Sequence, residues 1–388
     1  MATSVIAAIE TLMSLQRWNV MPRIENWTEA ENIAYTTHVT YALARELEWN
    51  DDKIQHAMMR ALLKSLNKHF LADIPVKSRR VLRLISDGEG KQSYEKLINE
   101  YAKKTARLFP RELFRTIECY MTIHGNYSDG LEGRDREEVE ELVHFAQHKV
   151  ALDECEINEK VYPSRGYEII HKDIEERLNK LDPDKRYNKV YEEIRLYLGT
   201  VKNLKYLRRW NRINRTVETS VLSHTFVVTI LSLMFALLSA HSDKKIKDGT
   251  VLDAILRAMF QGFPETLTGD IITPAKDILN RSCDGIWDKV EATLIDVFLS
   301  EQVPKGLRGD MSKKHLLDEL SDSENYTVAS LVKDCDRLAL VLECHIEARN
   351  GNINVEMTSA FKDYLAVLQG SEWRGIREFA QMIAIESR

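Results

Sequence analysis

The sequence contains few of the residues that interrupt helices. Its 388 residues include only 16 glycines and 8 prolines, whereas Glu, Leu, Lys, Ala and Arg are plentiful. Inside a helix, glycine and proline cost about 1 and about 3 kcal/mol relative to alanine. Their scarcity predicts an all-α fold, and no β-hairpin signature or alternating strand pattern argues against it.

Paired cysteines, an export signal and a membrane-spanning run are also missing. The five cysteines are odd in number, widely spread and without a CxxC pair, so we expect reduced, small core residues. The longest apolar stretch, residues 226–240, has fifteen residues. A bilayer span needs about 20, so this stretch predicts a helix buried on all sides. Because Glu10 interrupts the N-terminal apolar segment and no basic residues precede it, we expect a cytoplasmic protein with no membrane partner.

Charge excludes one further class. The chain has 54 Lys and Arg against 60 Asp and Glu, a net charge of −6, so it lacks the basic excess of a dedicated nucleic-acid-binding protein. A hydrophobic content of 44% excludes a mainly disordered chain. The length suits two or three domains.

Helical periodicity of apolar residues runs through most of the chain. Steps of three and four residues predict helices over 54–66, 94–108, 135–158, 167–181, 187–207 and 326–349. Gly and Pro signals predict loops between them, including one at residues 262–264.

The sequence also repeats short motifs at about half its length. Four matches occur in the same order with spacings of 186 to 197 residues: Arg17-Trp18 with Arg209-Trp210, His38 with His224, Asp73 with Asp270, and Glu154-Cys155 with Glu343-Cys344. Each match is short, but their common order predicts an ancestral duplication. We therefore expect two domains, residues 1–190 and 191–388.

The second half resembles a known family. The segments LRRWNRINRTVETSVLSHT, FQGFPETLTGDIITPAK and SLVKDCDRLALVLECHIEARNGN resemble the 5′-deoxynucleotidase-like branch of the HD-domain superfamily, over most of residues 200–350. This resemblance implies two fused HD-type helical domains. It also implies removal of phosphate from nucleoside 5′-monophosphates by water bound to a divalent metal.

The resemblance assigns roles position by position. It implies catalysis by Glu265 and metal binding by His224 and Asp336. Substrate binding falls to four residues: Arg209, Trp210, Asp270 near the sugar, and Lys333. Gln261 and Gly262 stand where the family has its His-Asp doublet, so two of its four ligands are replaced. A divalent metal is therefore expected to bind weakly or not at all.

The first half departs further from the pattern. Arg17, Trp18 and His38 fit its upstream part, but Lys64 and Ser65 fall at the doublet. Lys68 falls at the catalytic Glu and Gln147 near the closing Asp. Because lysine repels a cation, we expect a structural or regulatory copy without metal ligands. His144 and His148 share a helix face and could in principle chelate zinc, but no further ligand is evident, so we expect a solvated helix face.

Three functions remain open from the sequence. The leading hypothesis is a nucleotide-binding protein with impaired or lost phosphohydrolase activity. The first alternative is an active metal-dependent phosphohydrolase that uses His224, Asp336 and Glu265, and the second is a scaffold with a vestigial pocket. Since members of this branch are typically homodimers, the resemblance also implies that the two halves pair as an intramolecular pseudo-dimer.

Overall fold

The computed structural model describes residues 2–71, 78, 81, 90–122, 131, 133–242, 250–269, 271, 273–283, 285–311 and 323–386. These residues form helices and connecting turns with no β-strand; the only extended pairings among them are two isolated antiparallel bridges, Gln16 with Thr28 and Arg208 with Ser220. The all-α prediction is confirmed.

The chain divides into two compact units. Unit 1 comprises Met1–Ala44 and Asp52–Lys189, and unit 2 comprises Arg45–Asp51 and Val190–Arg388. That each unit is an HD-type domain with the function expected of it stays a prediction.

Unit 1 is built around a buried helix, Glu29–Glu46, in which all but two residues are buried. Thr28 begins it with a reciprocal cap: its amide donates to the Glu31 carboxylate at 2.8 Å, and its hydroxyl accepts from the Glu31 amide at 3.2 Å. The other α-helices described in this part of the chain are Ala2–Ser14, Asp51–Lys64, Lys68–Leu71, Gly90–Ala106, Phe114–Met121, Gly133–Val161, Tyr167–Leu181 and Arg186–Glu193.

Unit 2 is built around the apolar helix Val221–Ser242, which packs against Thr250–Phe260 and Ser323–Arg349. Its other described helices are Arg195–Asn203, Phe263–Thr268, Thr273–Ser282, Ile286–Glu301, Lys305–Arg308, Val355–Gln369 and Arg374–Glu386. The prediction of a loop at residues 262–264 was wrong in part, because Phe263 and Pro264 are helical. Pro264 lies in the first turn of Phe263–Thr268, where its missing N–H costs no hydrogen bond.

The apolar helix is a core element of unit 2. Among the described residues, one segment, Val221–His241, is long and apolar enough to cross a membrane, and 89% of its most apolar window is buried within the protein. That burial matches the prediction of a helix covered on all sides.

All five cysteines are free thiols, as expected for a reduced protein. Cys155, Cys335 and Cys344 are buried core residues, but Cys283 is exposed and Cys119 partly so. The expectation of five core cysteines was therefore wrong at these two positions: Cys119 lies on a partly exposed face of the helix Phe114–Met121, and Cys283 lies in the turn after the helix Thr273–Ser282.

Candidate functional site

The central side chain of the site in unit 2 is His224, in the first turn of the helix Val221–Ser242. Ser220 caps this helix: its hydroxyl accepts from the Ser223 amide at 3.1 Å, and its carbonyl accepts from the His224 amide at 3.0 Å. The apolar residues that follow bury the helix, and His224 is only 3% exposed. The cap and the core together fix where the imidazole lies.

Two carboxylates hold the imidazole from opposite sides. Nδ1 of His224 lies 2.8 Å from Oε1 of Glu343, and Nε2 lies 2.8 Å from Oδ1 of Asp336. Both carboxylates belong to the helix Ser323–Arg349, two turns apart. The Glu343 side chain is 2% exposed and that of Asp336 is 44% exposed, so Asp336 marks the side of the site that faces solvent.

The charges in this cluster hold each other ionised. Burial and Arg209 lower the pKa of His224, but the two carboxylates outweigh them and raise it above its ordinary value. Burial raises the pKa of Asp336, and the hydrogen bond from His224 outweighs this and lowers it. Burial likewise raises the pKa of Glu343, but Arg209, His224 and Arg215 lower it well below its ordinary value. His224 therefore donates from both nitrogens, as an imidazolium between two carboxylates.

A loop at residues 208–220, the Arg-Trp loop, meets the same carboxylate. Nε1 of Trp210 donates to Oε2 of Glu343 at 2.8 Å, and Nε of Arg209 lies 3.2 Å from Oε1. The Arg209 amide donates to the Thr219 carbonyl at 2.9 Å and so closes the loop. We call Arg209, Trp210, His224 and Glu343 the Glu343 cluster.

The backbone of Trp210 is strained. Its φ of 57° lies in the left-handed region, which a bulky residue enters at a cost of about 1–3 kcal/mol. The indole hydrogen bond to Glu343 offsets part of this cost.

A second glutamate anchors the far end of the Arg-Trp loop. Glu347, one turn after Glu343, accepts from the amides of Thr216 and Val217, each at 2.9 Å. Arg215 lies 3.5 Å from Glu347 and 3.8 Å from Glu343. The helix that carries Asp336 therefore holds the loop at both ends.

The structure brings four of the seven predicted site residues together. Arg209, Trp210 and His224 contact Glu343, and Asp336 contacts the other side of His224. Glu265 lies in the first turn of Phe263–Thr268, four residues after Gln261. Lys333 is exposed, one turn before Asp336 on the same helix, and Asp270 lies outside the described residues.

Glu343 is the residue that the functional interpretation of the sequence missed. The sequence did contain a signal, since the pair Glu343-Cys344 repeats Glu154-Cys155, but we used it only as evidence of a repeat. A second signal is the spacing of Glu343 and Glu347, which puts two acids one turn apart on one face of a mostly apolar helix.

The donors at this site do not fit the divalent metal of the family. A carboxylate on the Nδ1 side of a histidine is the usual partner of a metal-binding imidazole, and Nε2 does point at Asp336. The third position, however, is the Gln261 amide, whose nitrogen lies 3.5 Å from Asp336 Oδ1. Gly262 supplies no ligand, and no group of three or more His, Cys, Asp or Glu side chains in the described part of the chain is arranged around a metal position.

Unit 1 has a matching cluster around Glu154. Its carboxylate accepts from Nε of Arg17 at 2.9 Å, Nε1 of Trp18 at 2.6 Å and Nδ2 of Asn32 at 2.8 Å. Trp18 has a φ of 58°, close to that of Trp210. We call these four residues the Glu154 cluster.

The match of His38 with His224 was therefore wrong. Asn32, 192 positions before His224, makes the equivalent bond, from Nδ2 to Oε1 of Glu154 at 2.8 Å. His38 is completely buried in the core, and burial lowers its pKa to about 3. Sequence matching favoured a residue of the same type, His38. In the structure the hydrogen bond to the glutamate is made by the side-chain amide of Asn32.

Lysines occupy two of the remaining positions of the site in unit 1. Nζ of Lys68 lies 2.6 Å from Glu29, which also pairs with Arg17 at 3.1 Å. Lys64 contacts Nε2 of His144 and lies 3.5 Å from Glu140, and burial lowers its pKa to about 7. His144 thus packs against Lys64, which stands at the first position of the doublet. The prediction of a solvated helix face was therefore wrong.

One comparison with known proteins covers the part of the chain that contains the Glu343 cluster. A family described as 5′-deoxynucleotidase YfbR-like matches residues 196–386. This part of the chain is similar to that HD-domain family. The YfbR-like match contains all four residues of the Glu343 cluster and lies wholly within unit 2.

Structural comparison gives a more distant neighbour. A crystal structure described as an HD-domain phosphohydrolase from Listeria innocua is 19% identical, and the match covers 50% of this chain and 89% of that one, with a TM-score of 0.41. None of the curated protein sequences compared with the chain matches significantly.

Proposed function

We propose that unit 2 binds a nucleoside 5′-monophosphate at the YfbR-like site and that its metal-dependent phosphohydrolase activity is impaired or lost. One observation carries the proposal. Gln261 and Gly262 replace the doublet that would supply two ligands, so only His224 and Asp336 remain of the four ligands of the family. A metal would have to displace the His224 proton and would then find two strong ligands.

The binding part of the proposal rests on residues that unit 2 retains. Trp210 is partly exposed, so its ring offers a face on which a base can stack. Arg209 brings positive charge to the Arg-Trp loop, and the exposed Lys333 brings it to the helix Ser323–Arg349. These charges suit the two negative charges of a phosphate monoester. Asp270 stays a predicted contact to the sugar.

His224 would act on the ligand as a fixed charge. As an imidazolium it cancels the charge of Asp336 on the side that faces solvent, which lowers the repulsion that a phosphate would otherwise meet there. No step of bond cleavage follows from this arrangement, so the residues support binding better than turnover.

Active hydrolysis is the second candidate, and one feature favours it. The bond from His224 Nδ1 to Glu343 orients Nε2 in the way that metal-binding histidines require. A scaffold with a vestigial pocket is the third, and the experiment below distinguishes it from the other two.

The binding proposal is tested by thermal shift with the four deoxynucleoside 5′-monophosphates. A ligand at 100 times its Kd stabilises the folded state by about 2.7 kcal/mol, so a concentration-dependent rise in Tm is expected. Trp210→Phe should reduce the shift at least threefold, because the smaller ring stacks less well and loses the bond to Glu343. The matched variant Trp18→Phe, in the Glu154 cluster, should leave the shift unchanged. No shift with any nucleotide, combined with no bound metal, would leave the scaffold.

We also propose that the two units arose by tandem duplication. The Arg-Trp loops, the bridges at Gln16 with Thr28 and at Arg208 with Ser220, and the two glutamate clusters recur at spacings of 189 to 192 residues. Such agreement of hydrogen bonds and left-handed tryptophans supports common descent better than four short motifs do. Pairing of the halves as a pseudo-dimer and a cytoplasmic location stay predictions.

A further inference from the structure

The Glu343 cluster joins two parts of the proposed nucleotide site through one carboxylate. Oε1 of Glu343 lies 2.8 Å from Nδ1 of His224, and Oε2 accepts from Nε1 of Trp210 at 2.8 Å. No family role was assigned to Glu343 in the sequence, and it lies on the far side of His224 from Asp336, so it does not reach the solvent side itself.

Neutralising the charge of Arg209 does not by itself account for the position of the Glu343 carboxylate. A carboxylate that only neutralised Arg209 would not need a separate oxygen directed at each ring. Here one oxygen fixes the imidazole and the other fixes the indole, so the two rings are held at a distance set by the width of a single carboxylate. Trp210 stays in a left-handed backbone conformation that its surroundings must enforce.

We infer that Glu343 is the positioning residue of this site, setting Trp210 and His224 in the register that base and phosphate require. The inference rests on the proposed nucleotide binding and assigns a specificity-determining position within it. Glu343 acts through the two rings and the Arg-Trp loop without touching the ligand.

The neighbouring glutamate provides a contrast. Glu347 also holds the Arg-Trp loop, but through the backbone amides of Thr216 and Val217, and it bonds neither ring. If Glu343 acted only by anchoring the Arg-Trp loop, a substitution of Glu347 would therefore have the same effect. If Glu343 sets the positions of the two rings, a substitution of Glu347 would not reproduce the effect.

The test is the substitution Glu343→Asp. Aspartate keeps the negative charge beside Arg209 and Arg215, so the fold retains its counter-charge. It is shorter by one methylene and cannot reach both rings at once. We expect at least a tenfold loss of affinity for the best of the four deoxynucleoside 5′-monophosphates, measured by isothermal titration. Glu154→Asp, the matched variant of the Glu154 cluster, should change that affinity less than twofold.

A spectroscopic measurement separates positioning from general destabilisation. The NMR resonance of the Trp210 indole proton is assigned by its loss in Trp210→Phe. Its chemical shift should move upfield in Glu343→Asp and should keep its wild-type value in Glu347→Gln and Glu154→Asp. Equal movement in Glu347→Gln would show that loop anchoring alone explains the effect and would overturn the inference, as would unchanged affinity in a folded Glu343→Asp protein.

The remaining outcomes are also decisive. If the wild-type protein binds no nucleotide, the proposed function fails, and the inference is then decided by the indole resonance alone. If Glu343→Asp does not fold, hydrogen exchange of the wild-type protein decides: the Trp210 indole proton should exchange at least a hundredfold more slowly than that of an exposed tryptophan. Exchange at the exposed rate would refute the role of Glu343.

Discussion

At the scale of single residues, Gly262 explains why the metal site is hard to restore. Its φ of −82° and ψ of −4° are open to any residue, so the backbone at this turn does not require glycine. The obstacle is space: a Cβ at Gly262 would lie 3.0 Å from Cγ1 of Val221 and 3.2 Å from Oγ1 of Thr225. Side chains of the apolar helix Val221–Ser242 therefore fill the space beside Gly262 that a ligand side chain would need.

The restoring substitution therefore needs a third change. Gln261→His with Gly262→Asp should lower the free energy of unfolding by about 1–3 kcal/mol through overpacking and gain little metal. Adding Val221→Ala should recover part of that stability and raise the affinity for Mn²⁺, because the carboxylate then has room. Titration calorimetry with Mn²⁺ and urea unfolding of the parent, double and triple variants give both quantities. Equal Mn²⁺ affinity in all three would show that the steric explanation is wrong.

His38 gives a prediction about acid stability. Its pKa falls from 6.5 in the unfolded chain to about 3 in the fold, so below pH 6.5 the unfolded state binds more protons. Stability from this group is complete above pH 6.5 and is lost as the pH falls, by about 1.4 kcal/mol for each pH unit until about pH 3.

The check is a pH series of urea unfolding for the parent and His38→Leu. Leucine should flatten the acid side of the profile by about that slope between pH 6 and pH 4.5. The proposed duplication makes the buried Ile230, 192 positions later, equivalent to His38, which supports an aliphatic replacement. A parent and a variant with parallel acid profiles would mean that His38 is protonated in the fold.

At the scale of elements, the helix Ser323–Arg349 organises unit 2. It contributes Asp336 on the solvent side, Glu343 beneath His224, and Glu347 under the end of the Arg-Trp loop. These three acids lie within three turns of one helix, so its position determines the loop, the imidazole and the side of the site that faces solvent at once.

Glu347→Ala tests this organisation. Its carboxylate is fully buried and serves two backbone amides and Arg215, so its removal should cost about 2–3 kcal/mol of unfolding free energy. Asn158→Ala removes the bonds of that side chain to the Ile24 amide and the Glu154 carbonyl, at the place in unit 1 that the proposed duplication makes equivalent, and should cost about 1–2 kcal/mol. The exposed Glu378→Ala should stay within about 0.5 kcal/mol. Equal losses at all three sites in urea unfolding would contradict the proposed anchoring.

At the scale of the whole molecule, the sequence predicts the fold class and part of the site. Scarce glycine and proline and sustained periodicity were sufficient for the all-α prediction, because helices depend on local spacing. Arg209, Trp210, His224 and Asp336 could be found because motif spacing identifies side chains that a family uses directly. Glu343 and Asn32 were missed, because they act through hydrogen bonds to other side chains, and such a bond can be made by chemically different residues. The spacing between the clusters became clear only once their hydrogen bonds could be compared.

The central claim is that unit 2 keeps the YfbR-like arrangement around His224 without its divalent metal. The most direct test is elemental analysis of protein purified without a chelator, beside His224→Gln as the matched variant. We predict less than one equivalent of Mn, Fe, Co or Zn per chain and no difference between the two proteins. One full equivalent in the parent that disappears in His224→Gln would contradict the account, because it would show that His224 and Asp336 hold a metal despite Gln261 and Gly262.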